Sequence, residues 1–116
     1  MNYNEFMRVF QDCELDGNKI VIKSNLHELI KFVHENYTYD MLKEIIAVDA
    51  KDGKTELIYH LYSTGDEEDL FISISVKDEA ESVVDIFKSA QADENEIFDL
   101  FGVKFLGNED LKRLYM

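Results

Sequence analysis

Between Leu26 and Tyr37 the apolar residues Leu26, Leu29, Ile30, Val33 and Tyr37 recur at the spacing of one helical face, while His27, Lys31 and Glu35 fall on the other side. The spacing predicts an amphipathic helix ending near Asn36. Asn25 with Glu28 three residues on reads as a capping box at its start. Upstream, Phe6, Met7, Val9 and Phe10 predict a short helix within Tyr3–Leu15, followed by a turn at Asp16-Gly17-Asn18 and a brief strand over Lys19–Lys23. From Met41 the period changes. Three β-prone runs follow, Leu42–Ala50, Thr55–Ser63 and Asp69–Lys77, the first two joined through Asp52-Gly53, a hairpin signal because both residues tolerate positive φ. Leu70, Ile72, Ile74 and Val76 alternate with Phe71, Ser73 and Ser75, as in a strand with one buried face. An antiparallel meander is expected here.

After Asp78 helical spacing returns, from Ser82 through Val83, Val84, Ile86 and Phe87, and again after the polar stretch Gln91-Ala92-Asp93. Asp93 with Glu96 reads as a second capping box, with Ile97, Leu100 and Phe101 facing a core and Gly102 as the left-handed residue that ends the helix. This order of elements predicts an α+β fold, a small antiparallel or mixed β-sheet with helices packed on one face. Residues 1–116 are expected to form a single domain, since no repeat, low-complexity tract or linker divides them.

Composition narrows the function. Hydrophobic residues make up 46% of the chain and charged residues 32%, the balance of a folded protein and not of a disordered one. The formal net charge of −13 repels nucleic acid and anionic lipid. Met1–Glu5 lacks the basic start of a secretion signal, and no run of about 18 apolar residues exists to cross a bilayer. Direct membrane insertion is therefore not expected. Cys13 stands alone, without a paired thiol or Cys/His cluster, which suits a reducing cytoplasmic setting.

Candidate chemistry is sparse. Glu94, Glu96 and Asp99, joined by His60, form the best oxygen-rich set for a divalent ion, but the chain offers no second carboxylate motif or Glu-x-x-His pair to complete a cage. Cys13 and His34 as nucleophile and base lack an orienting third group. His27 and His34, seven apart on one helix, are too distant to share a ligand and are expected to be solvated. No glycine-rich phosphate loop is present. The informative feature is charge: Asp78–Asp99 holds eight acidic residues and one basic residue, after which Lys104, Lys112 and Arg113 reverse the sign. Neighbouring acidic and basic surfaces steer and orient a protein partner.

The stretch from Glu94 to Leu114 has a distinctive order: Glu94, Glu96, Asp99, Leu100, Phe101, Gly102, Phe105, Gly107, Asp110, Leu111, Lys112 and Arg113 at fixed spacing. It resembles the thirty-kilodalton (C) subunit family of respiratory NADH:quinone oxidoreductase, complex I, together with related small subunits of energy-converting membrane-bound hydrogenases. The family pattern has Arg where this chain has Asn95, and His-Pro where it has Asn108-Glu109. Residues 40–116 match well and the first third in outline. Because the chain stops at Tyr115-Met116, where quinone-linked relatives usually carry a longer tail, the expected placement is a short, hydrogenase-type relative.

The resemblance implies an accessory subunit that holds no cofactor and performs no catalysis. It would dock on a large catalytic subunit related to nickel-iron hydrogenase, beside iron–sulfur subunits, peripheral to the inner face of the cell membrane. The expected partner interface comprises Glu94, Glu96, Asp99, Lys112 and Arg113, with capping the favoured role for Asp93 and for Glu96 itself. A free-standing acidic adaptor for a basic protein is the alternative from a different class.

Overall fold

The structure, a computed structural model, describes residues 12–111 together with Asn4, Met7, Arg8 and Phe10. Strands β1 (Cys13–Asp16) and β2 (Lys19–Ile22) form a hairpin, followed by helix α1 (Leu26–Asn36). Strands β3 (Met41–Asp49), β4 (Thr55–Ser63) and β5 (Glu68–Val76) make the meander. Strand β6 (Glu79–Glu81), helix α2 (Ala90–Phe101) and strand β7 (Lys104–Leu106) complete the order. The main sheet runs β1-β2-β5-β4-β3, and β6 and β7 pair in a separate two-stranded sheet. Because β2 joins β5 in parallel while the other pairs are antiparallel, the main sheet is mixed, and the α+β expectation holds.

Period-two alternation decides which face is covered. Ile20, Ile72, Tyr59 and Ile45 lie in one cross-strand row, and all are buried. Against this face α1 lays Leu26, Leu29, Ile30 and Val33, each 1% exposed or less. The opposite face carries the row Val21, Ser73, Ile58 and Ile46, and on it Ile46 and Val48 remain 38% and 40% exposed.

Four local expectations are corrected. Residues 13–15, expected in an N-terminal helix, belong to β1 instead, because pairing with β2 satisfies their backbone and buries Cys13. Of the rest of that predicted helix, Asn4, Met7 and Arg8 are helical as expected, and Tyr3, Glu5, Phe6, Val9 and Gln11 lie outside the described residues. Asn25 does precede α1, but in the left-handed conformation (φ 61°) and without a side-chain cap, so the capping box is not formed. Residues 82–87 make turns, with the Ile86 and Phe87 amides both donating to the Val83 carbonyl, and no α-helix. Finally, α2 begins at Ala90, so Asp93 sits inside the first turn and not at the cap. Gly102 closes α2 at φ 75°, as its sequence position predicts.

Candidate functional site

Helix α2 and the segments tied to it form the candidate site. Three side chains at or near its start reach out to hold the surrounding chain. Ser89 Oγ donates to the Leu42 carbonyl at 3.2 Å, and Asp93 Oδ2 accepts from the Ile45 amide at 3.1 Å, so the helix is pinned along the edge of β3. Glu94 does the most. Its Oε1 accepts from Ser82 Oγ at 2.7 Å and from Asn108 Nδ2 at 2.9 Å, while Oε2 accepts from the Val83 amide at 2.9 Å.

Glu94 is fully buried, as are Val83 and, to within a few per cent, Ser82 and Asn108. A buried carboxylate is sustained only by such donors, because an unpaired one costs far more than a hydrogen bond returns. Burial pushes the Glu94 carboxyl above the usual glutamate range, and the donated bonds from Val83, Ser82 and Asn108 pull it part of the way back. Its field and that of Glu81, added to burial, raise the phenol of Tyr59 well above the ordinary value. The node links three places distant in sequence: the turn after β6, helix α2 and the turn after β7. Asn108 stands where the related pattern has His; an amide N–H and an imidazole N–H can each donate to a carboxylate, so the departure keeps the chemistry the node needs.

The five residues expected at the interface therefore separate. Glu94 is corrected to an internal organiser, since a side chain without exposed surface offers a partner nothing. Glu96 is exposed and Asp99 half-buried on the same helix. Lys112 and Arg113 lie outside the described residues. Leu100 and Phe101, expected to face the core with Ile97, are instead 62% and 36% exposed, whereas Ile97 is 5% exposed. The apolar stripe of α2 thus divides. Its first half enters the core, and its last turn presents leucine and phenylalanine beside Glu96.

The other chemical candidates do not assemble. No group of three metal-ligating side chains occurs among the described residues. His60 pairs with Asp69 at 2.7 Å on β4 and β5 and stacks on Phe71, away from the α2 carboxylates. Cys13 Sγ donates to the Phe10 carbonyl at 2.8 Å, and His34 bonds the Tyr39 carbonyl through Nδ1 at 2.7 Å, so neither activates the other. His34 also packs edge-on to Phe87, and His27 pairs with Asp85 at 2.8 Å. The expectation that both histidines are merely solvated is thereby corrected. Each is engaged across the fold, α1 being tied by them to the segment after β6.

Comparison with known proteins agrees with this geometry. The family model for the respiratory-chain NADH dehydrogenase 30 Kd subunit matches residues 20–116. The NADH-quinone oxidoreductase C subunit of Moorella thermoacetica is 31% identical over 95% of this chain and 80% of its own length. Its counterpart from Geotalea uraniireducens is 33% identical over 84% of this chain and 62% of its length. Against the NADH-quinone oxidoreductase C/D protein of Phocaeicola vulgatus the identity is 30% over 78% of this chain, and the match spans only 18% of that longer protein. A chain in the structure of the membrane-bound sulfane sulfur reductase, an archaeal respiratory membrane complex, superposes with a TM-score of 0.85 over 98% of this chain and 74% of its own. At 21% identity that likeness concerns the fold alone. With a buried glutamate organising the very stretch whose order marks the family, and the family model matching from β2 onward, the chain belongs to the respiratory-chain NADH dehydrogenase 30 kDa subunit family.

Proposed function

We propose that this chain is a non-catalytic docking subunit of a membrane-associated oxidoreductase complex, of the NADH:quinone oxidoreductase or energy-converting hydrogenase type. Its seat is a large catalytic subunit related to nickel-iron hydrogenase, next to iron–sulfur subunits, and it binds no cofactor of its own. The observation that carries this reading is the last turn of α2: Leu100 and Phe101 stand exposed beside Glu96 on a helix whose other half is locked into the core. Large apolar side chains grouped at a rim of charge mark a protein contact more than a solvated surface. No helix among the described residues is long and apolar enough to cross a membrane, and in this reading attachment to the inner face of the membrane runs through the complex.

Affinity purification of the chain from the membranes of its own cells tests this directly. Recovery together with a hydrogenase-like large subunit is expected. Recovery of the chain alone refutes the proposal, and a stoichiometric metal ion in the purified chain refutes the absence of a cofactor. The double variant Glu96→Lys, Leu100→Glu changes only exposed side chains. It should leave the stability of the isolated chain within about 0.5 kcal/mol while reducing co-purification severalfold.

A further inference from the structure

Strand β3 is an edge of the main sheet. In an antiparallel pair, alternate residues aim their N–H and C=O groups at the partner strand and the residues between aim theirs away. Two hydrogen bonds fix the phase here. The Ile45 amide points outward to Asp93, and the Ala50 amide points inward to the Lys54 carbonyl at 2.8 Å across the hairpin. Ala47 and Asp49 share the phase of Ile45, so their backbone groups also face away from β4. Among the described residues, the side-chain bonds that reach this edge from Ser89 and Asp93 end at Leu42 and Ile45.

Exposed hydrocarbon flanks the stretch beyond Ile45 on both sides. Side chains alternate along the strand, so Ala47 and Asp49 turn with Ile45 toward α2, and Ile46 and Val48 turn to the other face. On the α2 side Leu100 and Phe101 line two adjoining cavities, one with residues 44–47 of β3 and one with Asp49 and Ala50. Ile46, Val48, Leu100 and Phe101 make up half of the large hydrophobic side chains exposed among the described residues, so this edge is a patch and not a scatter of single exposures. Charge lies at the two ends. Glu44, Asp93 and Glu96 stand at the start, where Asp93 already holds the edge, while Asp49, Asp78, Lys54 and Lys77 at the hairpin end carry two charges of each sign. The free stretch thus has apolar sides and, at its end, charges that cancel.

We propose that residues 47–49 of β3 receive an uncharged strand of the partner protein, apolar on both of its faces, which extends the main sheet by one strand. This rests on the docking reading and names the backbone form and side-chain class of what docks. The outward groups of Ala47 and Asp49 supply the main-chain hydrogen bonds. Side chains on one face of the added strand meet Leu100 and Phe101, and those on its other face lie beside Ile46 and Val48. A charged residue on either face would give up its hydration against hydrocarbon, with no net charge nearby to compensate it. A second copy of the chain is a poor occupant, since it joins two bodies that each carry a net charge of −13.

The test uses residue-level hydrogen–deuterium exchange on the full chain with a blocked hexapeptide of valine, N-methylated at every second residue so that it offers one pairing edge and cannot stack on itself. Two further peptides of the same pattern carry arginine or glutamate at alternate positions. The valine peptide should slow exchange at the Ala47 and Asp49 amides at least about fivefold, the scale of one net backbone hydrogen bond, and each charged peptide less than about twofold. Val48→Thr, on the face away from α2, and Leu100→Ser, on α2, change exposed side chains. Each should weaken binding of the valine peptide at least about threefold, the scale of one buried methyl group. Ala47→Pro removes an outward N–H and no bond to β4, so the sheet is expected to persist while the protection at Asp49 is abolished. No slowing by the valine peptide, equal slowing by either charged peptide, unchanged binding in V48T or L100S, undiminished protection of Asp49 in A47P, or slowing that grows with protein concentration without peptide would each overturn the proposal. Co-purification from native membranes judges docking itself and does not depend on these readings, so the two can fail separately.

Discussion

Replacing Glu94 by leucine removes the one acceptor shared by Ser82, Val83 and Asn108 while keeping a side chain of similar length. Ser82 and Asn108 lie close enough to the surface to turn toward water, being 5% and 8% exposed, but the Val83 amide, at 0%, cannot. One stranded backbone donor costs about 1–3 kcal/mol, and two lost bonds to a charged acceptor add about as much again. Relief of the buried carboxylate offsets part of this, which leaves a net cost of about 3 kcal/mol. Unfolding entropy of about 2.1 cal/mol/K per residue amounts to about 0.24 kcal/mol/K for this chain, so Tm should fall by about 12 °C. Thermal unfolding followed by circular dichroism reads this directly.

The pH dependence supplies an independent sign. A glutamate whose folded pKa is raised binds its proton more tightly in the fold than in the unfolded chain, so its contribution is fully present below the ordinary glutamate value and is lost as pH rises through the folded value. The gap in Tm between the parent chain and E94L should therefore widen as pH is lowered from neutrality through that window. The variant serves as the reference because Asp40, Glu56 and Asp85 are shifted the opposite way, by hydrogen bonds from Thr64, Ser73 and His27 respectively, and lose their contribution on acidification in both proteins. A fall in Tm of less than about 4 °C, or a gap that narrows toward acid, would show that Glu94 does not hold the node together as described.

Asn108→Ala should cost about 1–2 kcal/mol in denaturant unfolding and Asn108→His less than about 1, because the imidazole restores a donor to Glu94. Asp93→Ala should destabilise by about 1–2 kcal/mol through the unpaired Ile45 amide; Asp93→Asn, which keeps an acceptor oxygen and removes a charge beside Glu96 and Glu44, should stay within about 0.5 kcal/mol of the parent at neutral pH, as measured by the urea midpoint. Gly102→Ala should cost about 1 kcal/mol from backbone conformation alone, since a methyl group there meets no atom within 4 Å while φ is 75°. Equal midpoints for the glycine and alanine forms would show that the left-handed end of α2 is not required.

Elements set by local periodicity are legible in the sequence. The stripe of α1, the three meander strands and the glycine ending α2 appear where spacing and turn residues put them. What local pattern does not show is where distant segments meet. Residues 82–87 have helical apolar spacing, yet Ser82 and the Val83 amide are held by Glu94, which lies beyond the turn, and those bonds fix a bend where propensity alone favours a helix. Asn25 misleads because asparagine serves both as a side-chain cap and as a residue that tolerates positive φ, and here the backbone role prevails. Glu94 reads as a surface residue because carboxylates usually are. Its position holds a usable signal: it lies four residues after Ala90 and three before Ile97, within the buried stripe of its helix, where an acidic residue requires internal donors. Leu100 and Phe101 mislead in the opposite direction, since periodicity cannot tell a stripe buried in its own core from one left exposed.

The parallel pairing of β6 with β7 joins the chain just before the α2 region to the chain just after it, and the Lys104 amide to Asp78 carbonyl and Ser82 amide to Leu106 carbonyl bonds extend that closure at both ends. The helix is thus held like a stone in a ring setting, its outer turn shaped before anything touches it. A surface in that state surrenders little freedom on association, so a modest area of contact suffices for firm attachment. Under the proposed docking, substitutions on the ring, remote from the outer turn itself, should weaken attachment by letting the helix wander.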